Sequence, residues 1–192
     1  MKTLLVIDNY DSFTFNLVQM FKQYKLDIKV YRNNKIDLAL AEKINPDYIL
    51  ISPGPRTPEY SGISKPLIKK FHKTKPILGV CLGMQCINEL FEGKTIKSPV
   101  PVHGKKDKIY HEEMGIFKRM PRPFQAARYH SLIIERKNPE LIETAHSKEG
   151  IIMGIQHNKY PLYGIQFHPE SFMTEEGYTI IGNFLQLGEE QE

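Results

Sequence analysis

The first half of the chain alternates short apolar runs with segments of helical periodicity. Residues 4–7 form a continuous apolar run of the kind found in strands that are covered on both faces. In residues 13–24 the apolar side chains recur every three or four positions, which predicts an amphipathic helix. Strands that alternate with helices indicate a parallel sheet with crossover helices, and hence an α/β fold. The alternation continues with predicted strands at 28–31, 48–51 and 77–80 and predicted helices at 38–44, 63–71 and between Cys81 and Gly93.

The pattern changes after Gly93, where helical periodicity disappears. Short apolar segments there alternate with glycine, proline and charged turns, which predicts mainly antiparallel strands. Periodicity returns in residues 177–187, which predicts a closing helix. A chain of 192 residues is long enough for a substantial core, so we predict a single domain over residues 1–192. The candidate strands of this half are 100–103, 125–130, 131–134, 151–156 and 163–167.

Composition and charge exclude several functional classes. Lysine and arginine number 26 against 22 aspartate and glutamate, and these basic residues are scattered, whereas nucleic-acid binding needs a clustered basic face. No apolar run approaches the roughly 18 residues of a membrane span. Asp8 and Asp11 interrupt the apolar N-terminus too early for a secretion signal. Because the two cysteines, Cys81 and Cys86, cannot form a disulfide framework, we expect a cytoplasmic protein.

A cysteine framed by two glycines follows the fourth predicted strand. The sequence from Gly79 to Gly83 has the pattern Gly-x-Cys-x-Gly, the thiol version of the elbow in which a strand turns at once into a helix and exposes a nucleophile. The positive end of the following helix would favour the thiolate of Cys81. The alternative is a buried structural cysteine, since free cysteine is among the most buried residue types.

A histidine and a glutamate near the C-terminus supply the groups that a cysteine nucleophile needs. His168 and Glu170 are two residues apart, so in an extended segment both side chains point to one side. Such a pair provides a base and its orienting group. Backbone N–H groups of Gly54 and Leu82 could form an oxyanion hole worth on the order of 3 kcal/mol per donor. Taken alone, His168 could instead be a structural histidine at a strand end.

Five motifs together resemble the class I glutamine amidotransferases. They are residues 8–13, 52–55, 79–85, 128–132 and 166–171, and they follow in the family's order along essentially the whole chain. Within that class the chain is similar to the glutaminase components (component II) of anthranilate synthase and of aminodeoxychorismate synthase. The resemblance implies a doubly wound, flavodoxin-like fold with a mixed, mostly parallel central sheet and a small antiparallel sheet.

The resemblance also implies a reaction. It implies that this chain hydrolyses the side-chain amide of L-glutamine to give glutamate and passes the ammonia to a partner subunit that aminates chorismate. By this resemblance Cys81 attacks the amide carbon to form a γ-glutamyl thioester, and His168 accepts the thiol proton and then protonates the ammonia. Glu170 orients His168, while Gly54 and Leu82 hold the oxyanion. The resemblance also implies that this chain binds no cofactor or metal and that the partner subunit binds Mg²⁺.

Substrate and partner contacts follow from the same resemblance. Arg56 departs from the family pattern, because the family more often has a small residue there, and a solvated loop arginine is an equally good interpretation. The implied glutamine-binding residues are Gly54, Pro55, Arg56, Gln85, Ser131 and Leu132. The implied partner-interface residues are Asn9, Tyr10, Asp11, Ser12 and Phe13.

Two other functions remain open at the level of sequence. One is a stand-alone hydrolase of γ-glutamyl or peptide bonds with the same triad, and the other is an inactive binding subunit that regulates a partner. The choice between tryptophan and folate biosynthesis depends on the partner, since the two glutaminases resemble each other. The histidines and cysteines do not lie at metal-ligand spacing, so we predict no metal site.

Overall fold

The computed structural model describes residues 1–189, with the backbone alone for residues 100–103. Its first half alternates strands and helices as predicted, and two 3₁₀ turns lie at Pro58–Tyr60 and Gly115–Phe117. The elements of the first half are β1 (Lys2–Asp8), α1 (Thr14–Phe21), β2 (Leu26–Arg32), α2 (Leu38–Ile44), β3 (Tyr48–Ile51), α3 (Ser64–Phe71), β4 (Ile77–Val80) and α4 (Leu82–Leu90). The second half contains β5 (Lys94–His111), β6 (Phe124–Glu135), β7 (Leu141–Ser147), β8 (Ile152–His157), β9 (Leu162–Ile165) and α5 (Gly177–Glu189).

The described strands form one nine-stranded mixed sheet in the order β2-β1-β3-β4-β9-β8-β7-β5-β6. Strands β2, β1, β3, β4 and β9 are mutually parallel, whereas β8, β7, β5 and β6 continue the sheet in antiparallel pairs. The antiparallel strands therefore extend the central sheet and do not form the separate small sheet implied by the resemblance. Strand β9 joins the two parts, since it pairs in parallel with β4 and antiparallel with β8.

Helices cover both faces of the parallel part, which explains the continuous apolar run of β1. Leu4 and Val6 belong to the apolar cluster that contains α1 and α5, and Leu5 and Ile7 belong to the cluster on the opposite face with α3 and α4. All four side chains are fully buried. No helix within residues 1–189 is long and apolar enough to cross a membrane.

The antiparallel part differs from the sequence prediction in three strands. The predicted strands 125–130 and 131–134 are one strand, β6, and the predicted strand 100–103 is a short piece of the 18-residue β5. Strand β7 was not predicted, because its half-buried polar side chains interrupt the apolar pattern. Helix α1 ends at Phe21, three residues before the predicted end.

This topology brings separate segments to one edge of the sheet. The loops after β1, β3 and β4 and the segment after β9 all leave the carboxyl ends of parallel strands. Ligands of open α/β sheets bind at that edge.

Candidate active site

Cys81 lies at a tight turn between β4 and α4. Its backbone adopts φ 52° and ψ −103°, which is a strained conformation for a residue with a side chain. The Cys81 N–H donates to the carbonyl of Ile165 at 2.7 Å and so holds the turn against β9. The flanking glycines are needed because a Cβ at Gly79 would lie 2.5 Å from the carbonyl carbon of Gly83, and a Cβ at Gly83 would lie 2.5 Å from the carbonyl oxygen of Ile51. The predicted elbow is therefore present.

His168 is held beside this turn by strand-like contacts with β6. Its N–H donates to the carbonyl of Ala127 at 3.0 Å in an isolated antiparallel bridge. The Thr174 hydroxyl donates to the His168 carbonyl at 2.6 Å and accepts from the Ala127 N–H at 3.0 Å. Three hydrogen bonds thus fix the backbone from which the imidazole projects.

Glu170 accepts a hydrogen bond from the imidazole of His168. The distance from His168 Nδ1 to Glu170 Oε1 is 2.6 Å, and the Glu170 side chain is fully buried. Burial alone would lower the pKa of His168, but the side chains of Cys81 and Glu170 outweigh it and raise this pKa well above its ordinary value. The site therefore favours an imidazolium at His168.

The second nitrogen of the imidazole, Nε2, does not take part in the contact with Glu170. Within residues 1–189 no group hydrogen-bonds to His168 Nε2, although the Cys81 side chain is close enough to act on the pKa of His168. Nε2 is therefore available to exchange a proton with the thiol or with a ligand bound there. This arrangement of thiol, imidazole and carboxylate can perform nucleophilic catalysis.

Two aromatic rings enclose His168. Its ring centroid lies 5.8 Å from that of Phe13 and 5.2 Å from that of Tyr129, in edge-to-face geometry. The two aromatic rings also contact each other at 5.5 Å between centroids. They leave His168 only 3% exposed, so water has little access to the Glu170 contact. The role of Tyr129 was not predicted, because its position depends on the pairing of β6 with the segment after β9.

A cavity of about 160 Å³ opens beside Cys81. All six predicted glutamine-binding residues line it, together with Cys81, Tyr129 and His130. Ser131 and Leu132 lie on β6, whereas Gln85 lies on α4 and the other predicted residues follow β3. The structure thus brings together residues that are up to 78 positions apart, Gly54 and Leu132.

The family profile of the class-I glutamine amidotransferases matches residues 5–187. The chain belongs to the class-I glutamine amidotransferase family.

Relatives of this glutamine amidotransferase are similar over nearly its whole length. The anthranilate synthase component 2 of Cyanophora paradoxa is 50% identical over 185 residues, which cover 95% of this chain and 97% of that protein. The bifunctional protein TrpGD of Thermotoga maritima is 48% identical over 191 residues, but this chain spans only 32% of its length. Among solved structures, a candidate GMP synthase subunit from Thermoplasma acidophilum is 26% identical with a TM-score of 0.89, and the match covers 100% of this chain and 96% of that one. The predicted family and fold class are confirmed.

Gln166 is a further contact of the cysteine in this amidotransferase. Its Nε2 lies 3.4 Å from Cys81 Sγ, and its Oε1 accepts a hydrogen bond from Gln85 Nε2 at 3.3 Å. Both glutamines are buried. No role of Gln166 was predicted from the sequence, although its position two residues before His168 could have suggested one, since alternate residues of an extended segment share a side.

The predicted oxyanion donors lie next to each other. A Cβ at Gly54 would lie 2.7 Å from Leu82 Cδ2 and 2.8 Å from the carbonyl oxygen of Asn9, so no side chain fits there. Leu82 is the first residue of α4, and N–H groups of a first helical turn have no partner within the helix. Both backbones can therefore approach a bound ligand closely.

Arg56 lines the cavity and has an unusual backbone conformation. Its φ of 67° is left-handed, which explains why a small residue suits this position. The exposed guanidinium lies over the Tyr60 ring at 4.9 Å from the centroid.

A second cavity of about 420 Å³ adjoins the first, because both are lined by Gly54, Pro55, Cys81 and Tyr129. Four of the five predicted interface residues, Tyr10 to Phe13, also line it. The fifth, Asn9, is only 3% exposed. Its side-chain amide donates to the Ser52 carbonyl and accepts from the side chains of Asn33 and Ser64, so Asn9 holds the loop from within. Burial raises the pKa of Asp11, although a hydrogen bond from the Phe13 N–H acts in the opposite direction.

The other cysteine has a different environment. Cys86 is fully buried in α4, and burial raises the pKa of its thiol to about 12. Such a thiol is unreactive at neutral pH, as expected for a residue that only packs. Within the described part of the chain, no group of three histidine, cysteine, aspartate or glutamate side chains could hold a metal ion.

Proposed function

We propose that this chain is the glutaminase subunit of an anthranilate synthase. In this proposal it hydrolyses L-glutamine and delivers ammonia to a chorismate-binding partner. The relatives support it, since one of them is named anthranilate synthase component 2 and another is named the bifunctional protein TrpGD. The single observation that carries the chemistry is the imidazole of His168, whose Nδ1 is bound to Glu170 at 2.6 Å and whose pKa is raised by the side chains of Cys81 and Glu170.

The first half of the proposed reaction forms a thioester. The sulfur of Cys81 gives its proton to His168 and attacks the amide carbon of glutamine, so that a carbon–sulfur bond forms and negative charge develops on the amide oxygen. The N–H groups of Gly54 and Leu82 stabilise that oxyanion. The carbon–nitrogen bond then breaks as His168 protonates the nitrogen, and ammonia leaves behind a γ-glutamyl thioester.

The second half releases glutamate. A water molecule gives one proton to His168 while its oxygen attacks the thioester carbon. The carbon–sulfur bond breaks, and the proton returns from His168 to the sulfur. The carboxylate of Glu170 supports the imidazolium in both halves, in agreement with the raised pKa of His168.

The partner and the location belong to the same proposal. The 420 Å³ cavity is lined by Cys81 and by Tyr10 to Phe13, and ammonia released at Cys81 could pass through it to a partner. Since protein groups supply the nucleophile, the base and the oxyanion donors, we propose no cofactor on this chain and Mg²⁺ on the partner. A free reactive thiol is typical of a reducing compartment, which supports the cytoplasm.

The test is glutamate release from L-glutamine. We expect the wild-type chain to release glutamate with an anthranilate synthase component I and chorismate, little without the partner, and none as Cys81→Ala. Full activity without a partner would favour the stand-alone hydrolase, and no activity with any chorismate-binding partner would favour the inactive binding subunit. Formation of aminodeoxychorismate with the corresponding partner would extend the proposal to folate biosynthesis.

A further inference from the structure

Three side chains of β5 and β6 form a hydrogen-bonded chain that ends at the glutamine cavity. Asp107 forms an ion pair with Arg128 Nη1. Arg128 Nε donates to His130 Nε2 at 3.0 Å, and His130 Nδ1 lies 2.9 Å from the carbonyl oxygen of Leu132. We call this chain the Asp107–Arg128–His130 relay. Arg128 and His130 are each only 3% exposed.

The arginine fixes the proton position on the histidine. A guanidinium is a donor without acceptor capacity, so His130 Nε2 must accept and must therefore carry no proton. A neutral imidazole then has its proton on Nδ1, where it donates to the Leu132 carbonyl. Both hydrogen bonds of the relay therefore run in the same sense: Arg128 donates to His130, and His130 donates to the Leu132 carbonyl in the cavity wall.

The pairing of β6 with β5 is interrupted where the relay ends. Leu132 pairs with Lys97 and His130 pairs with Val102, so residues 98–101 of β5 bulge opposite Ser131. A regular ladder would fix the backbone of Ser131 and would also occupy its hydrogen-bonding groups. Since Ser131 has no partner residue in this ladder, β5 does not give its backbone the support of regular pairing.

We propose that the Asp107–Arg128–His130 relay replaces this support and holds the Ser131–Leu132 backbone in the geometry that binds glutamine. Arg128 and His130 are then positioning residues that act through the Leu132 carbonyl. This inference rests on the proposed glutaminase function, because it concerns the substrate segment of that site.

Stability alone does not explain the relay. Within residues 1–189, Arg128 Nη2 is buried without a hydrogen-bond partner, which carries a desolvation cost. A buried ion pair is often no more stabilising than apolar residues of similar volume. The cost is explained if the buried charge holds a functional backbone segment.

Two substitutions of His130 separate positioning from packing. The amide of asparagine reaches about as far as Nδ1 of histidine and can donate to Leu132, whereas the amide of glutamine reaches about as far as Nε2 and meets Arg128. In the complex with component I and chorismate, we expect H130Q to raise the KM for glutamine about tenfold with kcat little changed. We expect H130N to raise the KM less than about threefold. Equal KM values for the two variants, or a loss confined to kcat, would overturn the proposal.

Arg128 provides a second test that does not depend on the folding of the His130 variants. We expect R128M to raise the KM for glutamine about tenfold. In the same variant, iodoacetamide should alkylate Cys81 at the wild-type rate. The matched control is R122M, since Arg122 is half-exposed and its ion pairs with Glu112 and Glu113 lie at the surface. A KM in R128M equal to that in R122M would refute the relay. An inactive wild-type complex would instead refute the proposed glutaminase.

Discussion

The chemistry of the site depends on how much charge the imidazole of His168 carries. Glu170 and Cys81 raise the pKa of His168 against the opposing effect of burial. A group whose pKa is raised on folding stabilises the protein below its ordinary pKa, and this contribution is lost as the pH rises through the folded-state value. Protonation of His168 therefore affects both the catalytic chemistry and the stability of the fold.

Glu170→Gln should lower the pKa of His168, because it removes the carboxylate that supports the imidazolium. We expect the NMR titration of His168 to shift to lower pH and glutamine hydrolysis to fall on the order of 10²-fold. The stability lost in the variant should be largest below the ordinary histidine pKa and should vanish above the wild-type value. An unchanged titration of His168 would show that Glu170 does not support its charge.

The two cysteines should differ sharply in reactivity. With a pKa of about 12, the thiol of Cys86 is protonated at neutral pH, whereas Cys81 borders two cavities beside an imidazolium. We expect iodoacetamide at neutral pH to modify only Cys81, as mapped by peptide mass spectrometry. Cys86→Ser should react as fast as the wild type. Labelling of Cys86 in the folded protein would contradict this account of its environment.

At the scale of elements, the elbow depends on the close contact between α4 and β3. Gly83→Ala would place a Cβ 2.5 Å from the Ile51 carbonyl oxygen, so backbone must shift. We expect a loss of about 2 kcal/mol or more in the free energy of unfolding, measured by urea denaturation. The matched control is Gly182→Ala in α5, where the Cβ would lie 3.3 Å from the Tyr24 hydroxyl and the helix gains propensity. Equal stability of the two variants would contradict the close packing at Gly83.

The elements of the parallel part were predictable because they rest on local patterns. The apolar run at residues 4–7 reflects burial on both faces of the sheet, and the periodicity of α1 reflects burial on one face of the helix. Strand β7 was not predictable in this way, since Glu143 and His146 are only half-buried between two neighbouring strands. Their environment is determined by pairing partners distant in the chain.

The same distinction applies to the site. The pair His168 and Glu170 follows from a spacing of two residues, and their 2.6 Å contact agrees with it. The contact of Gln166 with Cys81 and the Asp107–Arg128–His130 relay could not be predicted, because each joins residues whose proximity arises only from the order of strands in the sheet.

At the scale of the molecule, exposed apolar side chains adjoin the segments of the site. Tyr10 and Phe15 lie in and after the loop that borders the larger cavity, and Phe172 follows Glu170 by two residues with 94% of its surface exposed. Contiguous exposed apolar surface is typical of sites that bind another protein, and the proposed partner would cover these side chains if it docked over Cys81.

Phe172→Ser should therefore weaken partner binding. We expect the Kd for component I, measured by calorimetry, to rise on the order of tenfold, since the variant removes an apolar interface side chain. Iodoacetamide labelling of Cys81 in the free chain should keep its wild-type rate. Met114→Ser is the matched control, because Met114 is also exposed but precedes the 3₁₀ turn at Gly115–Phe117, next to α5. Equal affinities of both variants would exclude Phe172 from the interface.

The central claim is that nitrogen released at Cys81 reaches a chorismate-binding partner. The most direct measurement supplies L-glutamine with an isotopically labelled side-chain amide to the complex with component I, chorismate and Mg²⁺, and follows the label by mass spectrometry. We predict labelled anthranilate with the wild type and none with Cys81→Ala, which should still form anthranilate when free ammonia is added. Labelled anthranilate from the Cys81→Ala complex, or wild-type anthranilate without the label, would contradict the account.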